Sequence, residues 1–322
     1  MNTNILLAFG PFTLTKFGLC IGLGAILWIL SACAVQSLRY RRMPQGAVWL
    51  SGALMVVFGL VFSRAVYCAA NFDIYFSGGM DYLNVWEGGM SMCGALAGAF
   101  AGIMLAAPIA RVRIGRLANC FGPGIGLFAA CAVIAQTMIG EGWGKVAEAQ
   151  WVAGTVMGVE DIYGDIRYAV YRLELIGCAA AFVFGIFPLL RRTPARFSAW
   201  NWAMGVYCAV RIVTASMREG AVLRVEYFRI EQIAAVAMLL VIALCRICGD
   251  IRRGAGRGRW GAIVPFLAGA GIATWMEFAV DREGDLEVKY LVMALGALLC
   301  LIGALSGGGR TGMKNTKKAR AR

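Results

Sequence analysis

The chain has 322 residues, 60% of them hydrophobic and 15% charged, with a mean hydropathy of +0.70; this is more apolar surface than a globular core can hide and excludes a soluble protein. Lys and Arg number 31 against 18 Asp and Glu, a formal charge of +13, but they cluster between apolar runs instead of interleaving with exposed aromatics, which argues against a nucleic-acid partner. Histidine is absent, so histidine general-base catalysis and histidine-ligated metal are excluded, and no metal or cofactor is expected.

Apolar runs near the roughly 20 residues that cross a bilayer as a helix occur at 12–34, 46–70, 88–110, 118–139, 171–190, 199–216, 230–247, 261–280 and 288–306. They predict an all-α, polytopic helical membrane protein with nine spans. The first run has no charged leader and no convincing small-residue cleavage site, so it reads as a retained span. Arg39, Arg41 and Arg42 follow the first span, Arg111, Arg113 and Arg116 the third, and Arg191, Arg192 and Arg196 the fifth. Arg246, Arg252, Arg253, Arg257 and Arg259 follow the seventh, and the tail is basic again. The alternate connections carry Asp73, Asp81 and Glu87, then Glu148, Glu160, Asp161 and Asp165, then Asp281, Glu283, Asp285 and Glu287. By the positive-inside rule the N-terminus is expected outside and the C-terminus in the cytoplasm.

The longest outer connection, about 141–170, holds Trp143, Trp151 and Tyr163 and reads as an arm at headgroup level. Residues 307–322 read as a disordered basic tail close to anionic lipid. Most of the eleven cysteines fall in apolar runs, where a thiol behaves as a small buried hydrophobe, so no disulfide framework is expected. The Cys245 and Cys248 pair has redox-like spacing but no thioredoxin-like context.

Ionisable groups at membrane depth are costly, so each marks a candidate site. In chain order they are Lys16, Arg64, Glu87, Glu141, Glu174, Arg211, Arg218, Glu219 and Glu231, accompanied by Gln136 and Gln232. A guanidinium at such depth wants a carboxylate or a phosphate, and an internal ion pair with Glu141 or Glu174 competes with a lipid-phosphate role for Arg64 and Arg211. Gly88, Gly89 and Ser91 open the third span, where backbone N–H groups and a hydroxyl can meet a headgroup. Gly140, Gly142 and Gly144 surround Glu141 and suggest irregular backbone lining a polar cavity.

At these residues the sequence resembles the prolipoprotein diacylglyceryl transferase family, from about Phe9 to Ile242. The stretch SRAVYCAANFDIYF is similar to a G-A-R-L-x-Y segment through Arg64 and Tyr67, and WEGGMSMCGALAG to the hallmark W-E-G-G-x-S-x-H-G-G. VIAQTMIGEGWG is similar to G-R-x-G-N-F-x-N-G-E-x-x-G through Gly140, Glu141 and Gly144. RYAVYRLE keeps Arg167 and Glu174, VYCAVRIVTASMRE keeps Arg211 and Arg218, and RIEQI keeps Gln232. The hallmark histidine is Cys93 here, the first-span tyrosine is Phe17, the signature arginine and asparagine are Val133 and Gln136, the histidine-proline pair is Tyr168-Ala169, and the sixth-span glutamate is Ala215.

The resemblance implies a seven-span transferase-like domain over 1–248, with residues 249–306 as two additional spans. It implies transfer of diacylglyceryl from phosphatidylglycerol, a membrane lipid, to the lipobox cysteine of a prolipoprotein signal peptide in the bacterial plasma membrane. Glu141, Arg211 and Cys93 would then be catalytic. Arg64, Gly88, Gly89, Ser91, Gln136, Gly140, Gly144, Glu174, Arg218 and Gln232 would bind substrate. A catalytically degenerate paralogue that keeps only a lipid- or partner-binding bundle is the alternative.

Overall fold

A computed structural model of the chain describes residues 5–9, 12–72, 75, 89–147, 150–161, 163–191, 195, 197–219, 224–225, 228–252, 259–280, 282 and 284–306. Strands β1 (Ile5–Phe9) and β2 (Phe12–Thr15) pair antiparallel and lead into helix α1 (Lys16–Arg39). The first helix thus starts later than its apolar run, because the Thr15 hydroxyl accepts the Gly18 amide at 3.0 Å and caps it there. Next come α2 (Gln45–Ala70), α3 (Met92–Ile109), α4 (Ile114–Phe121) and α5 (Gly124–Met138). A short hairpin of β3 (Gly158–Glu160) and β4 (Ile166–Tyr168) precedes α6 (Val170–Ile186) and α7 (Ser198–Met217). The described residues end with β5 (Arg224–Val225), β6 (Phe228–Arg229), α8 (Ile230–Arg252), α9 (Arg259–Val280) and α10 (Leu286–Ser306).

Among the described residues, seven helices are long and apolar enough to cross a membrane, and this is a multi-pass membrane protein of all-α class. The fourth predicted span is broken: α4 and α5 meet at 42° and make an eighth crossing if the pair counts as one. Pro123 lacks an amide hydrogen and interrupts the ladder. The Ile125 amide bonds Gly122 O at 3.2 Å, and the Phe121 carbonyl accepts the Trp28 indole N–H at 2.7 Å. The sixth predicted span forms α7, 20 residues long but with Asn201, Arg211 and Thr214 along it, and it is not among the helices apolar enough to qualify.

By compactness the chain divides into 1–207 with 214–234, and 208–213 with 235–322. The first unit is built on close backbone approach. A Cβ on Gly94, Gly98 or Gly102 of α3 would lie 2.5 Å from Phe62 O, 2.2 Å from Phe58 O and 2.7 Å from Leu54 O of α2 respectively. Each step of four residues on one helix answers a step of four on the other, so the two run antiparallel along a seam of backbone contact. Lipid tails are as apolar as leucine, so association in a membrane relies on such van der Waals contact rather than on hydrophobic exclusion. Trp28 fills the centre, stacked on Phe128 at 5.2 Å and Trp200 at 6.4 Å between ring centroids. In the second unit α9 packs on α10 in the same manner, Gly269 against Gly296 and Gly303 against Ala262 and Phe266.

Gly98→Val forces the α2 and α3 backbones apart and is expected to lower stability by about 1–3 kcal/mol. Gly22→Ala, where a Cβ meets nothing within 4 Å, is expected to be neutral or to stabilise by up to about 1 kcal/mol. Unfolding of both variants in one detergent checks the contrast.

Candidate functional site

Two polar clusters occupy one end of the first unit. In the first, α2 supplies Ser63 and Arg64, and the extended entry to α3 supplies Gly89 to Ser91. The Ser63 hydroxyl donates to Ser91 O at 2.8 Å, and the Ser91 amide returns to Ser63 O at 3.2 Å. Arg64, 7% exposed, donates to Gly89 O at 3.1 Å and lies over the rings of Tyr67 and Tyr75, 5.8 and 5.1 Å from their centroids. Gly89 has φ +79°, and a Cβ there would lie 2.5 Å from the Tyr67 ring, so glycine is required on two counts. The Ser91 hydroxyl is 2.8 Å from the Cys93 thiol. Gly88 lies outside the described residues.

The second cluster joins four helices. Arg218, at the C-terminal end of α7, is 6% exposed and pairs with Glu174 of α6, itself 3% exposed. The same guanidinium donates to the Gln136 side-chain oxygen of α5 at 2.7 Å. Arg229, the last residue of β6 just before α8 and 4% exposed, donates to Arg218 O at 2.6 Å and to Ala215 O. Gln232 is buried one turn further along α8.

The connection after α5 closes over this cluster. Gly140 and Gly142 have φ of +81° and +92°, which only glycine adopts without strain. The Gly144 amide bonds Tyr168 O at 2.8 Å, while Lys145 N bonds Met217 O at 3.1 Å and Glu219 N bonds Trp143 O at 3.0 Å. This segment is therefore a short strand wedged between the end of β4 and the residues flanking Arg218. Arg167 pins the outside through Asp161, at 2.7 Å, and Glu219. Hydrogen bonding to Arg167 holds the Asp161 carboxyl below its usual range.

Glu141 is exposed, its amide on Gln136 O at 3.0 Å. Desolvation raises its carboxyl above the usual range, Arg218 opposes that shift, and Glu231 adds to it. An apolar cavity of about 120 Å³ runs between α1, α2, α3 and α5, and Ser91 and Gln136 both line it, as does Phe17. Each polar cluster thus contributes a residue to one apolar slot. Among the described residues no group of three or more Cys, Asp or Glu is placed to hold a metal ion.

The structure brings together Arg64 with Gly89, Ser91 with Cys93, and Gln136 with Glu174 and Arg218. Arg211 is buried on α7 in the stretch assigned to the second unit. Glu174 thus has a partner, Arg218, beyond the Arg64 and Arg211 weighed for it from the sequence. Arg229 was missed there, although an arginine opening an apolar helix beside Glu231 was a signal. Ser63 and Tyr75 gave none, because their roles exist only once α2 meets the entry to α3.

Comparison with known proteins follows the same stretch of chain. Residues 4–248 match a family model described as prolipoprotein diacylglyceryl transferase. Phosphatidylglycerol--prolipoprotein diacylglyceryl transferase 1 of Streptomyces coelicolor is 24% identical over 73% of this chain and 69% of its own. The similarly named protein of Streptomyces griseus is 23% identical over 76% of each chain. That of Parasynechococcus marenigrum is 32% identical over 29% of this chain.

Glu174→Ala leaves the Arg218 charge buried without its carboxylate and is expected to cost about 3–5 kcal/mol of stability, measured by unfolding in nanodiscs. Glu141 gives a pH signature. A carboxyl raised above its unfolded value of 4.5 binds its proton more tightly in the folded chain, so its contribution is full below that value and is lost as pH rises through the folded one. Unfolding followed against pH is expected to show this decline in the wild type and a flatter profile in Glu141→Gln.

Proposed function

The chain belongs to the prolipoprotein diacylglyceryl transferase family, and from that premise we propose that it transfers diacylglyceryl from phosphatidylglycerol to the lipobox cysteine thiol of a prolipoprotein in the bacterial plasma membrane. The observation that carries this reading is the buried Arg218, held by Glu174 and Gln136, with Gln136 also lining an apolar slot. A phospholipid needs both features, a cation for its phosphate and a dry channel for a chain.

In this reading the thiolate sulfur attacks the glyceryl carbon, a C–S bond forms, the C–O bond to phosphate breaks, and glycerol phosphate leaves with the electron pair. Arg64 and Arg218 stabilise the charge that gathers on the phosphate, the largest demand such a transfer makes on its surroundings. Gly88, Gly89 and Ser91 hold the headgroup, Glu174 and Gln136 orient Arg218, and Gln232 supports it from α8. Gly140 and Gly144 let the arm fold over the lipid. Glu141 takes the proton of the thiol, since a carboxyl raised toward the working pH is the better general base. Cys93 assists through its contact with Ser91.

The domain over 1–248 carries the chemistry, which the extent of the family match supports. Residues 249–306 add two spans and 307–322 a basic cytoplasmic tail; the N-terminus is outside. A second reading is favoured by one observation, that Cys93, Phe17, Val133 and Ala215 stand where the family pattern has histidine, tyrosine, arginine and glutamate. It is a bundle that binds phosphatidylglycerol without transferring it.

Purified full-length protein in phosphatidylglycerol vesicles with a lipobox peptide separates the two. Mass spectrometry is expected to find thioether-linked diacylglyceryl on the peptide, falling about 10²–10³-fold in Arg218→Ala. Folded wild type that retains phosphatidylglycerol and yields no product establishes the second reading instead.

A further inference from the structure

At the opposite end of the first unit from the candidate site, the turn after α1 and the turn between α3 and α4 line an open cavity of about 1110 Å³. The 24 residues of α1 separate the two ends by about 36 Å. Five arginines line the cavity: Arg39, Arg41, Arg42, Arg113 and Arg116. The two lining segments, 36–47 and 108–120, contain no aspartate or glutamate, and neither do the residues of a third segment that touch them, Arg191, Ala195 and Ala199. Positive charge in inner loops is what membrane orientation requires, but orientation does not require that loops some 70 residues apart gather that charge around one hollow.

The wall of the hollow is built and held. Asn119, 2% exposed, donates to the Tyr40 hydroxyl at 3.3 Å and to Ala195 O at 3.0 Å, and its carbonyl accepts the Ala199 amide at 3.0 Å. One buried amide side chain thereby ties all three segments together and fixes the Tyr40 ring at the cavity. Because the Tyr40 oxygen accepts from Asn119, its own proton is left to donate. Arg39 donates to Arg191 O, joining the first and third segments a second time. Behind the wall, Gln36 donates to Met43 O at 2.6 Å and shapes the tight turn that carries Arg41 and Arg42.

Like charges in a shared hollow repel, and a bound anion relieves that repulsion. Planar guanidinium forks match phosphate oxygens two at a time. The cavity sits slightly above the usual size range for ligand pockets, and basic pockets between membrane helices are a recurrent setting for acidic lipid heads. We propose that this cavity binds the phosphate-bearing headgroup of an acidic phospholipid from the leaflet opposite the candidate site. It is a site separate from the proposed transferase chemistry and does not depend on it.

The test uses full-length protein in phosphatidylcholine nanodiscs doped with a minor fraction of cardiolipin, with retained lipid quantified by mass spectrometry after purification. Wild type is expected to enrich cardiolipin over phosphatidylcholine, with that enrichment falling about tenfold, some 1.4 kcal/mol, in Arg113→Gln/Arg116→Gln. Arg41→Gln/Arg42→Gln, on an exposed turn, is expected to show the same loss and keeps the test open if the first pair disturbs folding. A parallel arm measures unfolding with inorganic phosphate in undoped nanodiscs. Stabilisation of wild type but not of the variants, without cardiolipin enrichment, keeps the phosphate site and assigns it a soluble ligand. Equal cardiolipin retention and equal phosphate response in wild type and both variants overturns the proposal.

Discussion

The burial of the Arg218 guanidinium between Glu174 and Gln136 is the constraint around which one end of the first unit is arranged. A charge at that depth is tolerated only where partners meet it, and these partners come from two other helices, α5 and α6. Its own carbonyl is held by Arg229, and its backbone forms a bridge with Gly144. Removing this residue would therefore disturb α5, α6, α7, the start of α8 and the arm together. Fixed dipoles and charges around a cavity are also what a group-transfer site requires, because they need not reorganise as charge develops.

Packing on small residues makes this arrangement possible. With α3 pressed onto the α2 backbone through Gly94, Gly98 and Gly102, Ser63 reaches Ser91 and Arg64 reaches Gly89. The break at Gly122–Pro123 bends the fourth crossing so that Trp28 caps the freed Phe121 carbonyl. The apolar slot lies along the helices that these contacts position, and Trp28 forms part of its wall. Polar ends and a dry middle thus follow from one set of close backbone approaches.

Much of this was legible in the sequence, for reasons that differ residue by residue. Apolar runs had to be helices, since unsatisfied backbone is intolerable in hydrocarbon. Arg64, Glu174 and Arg218 stood out because charge in such runs is rare and expensive. Gly89 and Gly140 stood out as glycines clustered at the ends of spans, and both have positive φ. The sequence did not reveal that Pro123 breaks the fourth run or that Thr15 delays the first helix, because composition alone does not register local hydrogen bonding. Arg229 was passed over because nothing along the chain shows that its guanidinium turns back onto the carbonyls of Ala215 and Arg218.

By itself the sequence determined the class of the molecule, most of its helical crossings and its family, since hydropathy and motif spacing are properties of the chain as a line. Tertiary structure alone decided which cation takes Glu174, how Ser91 meets Cys93, and that arginines from separate loops surround a common hollow. Those outcomes depend on which helix faces touch and at what separation. Both are set by side-chain volume at the seams between helices, and position along the chain does not encode them.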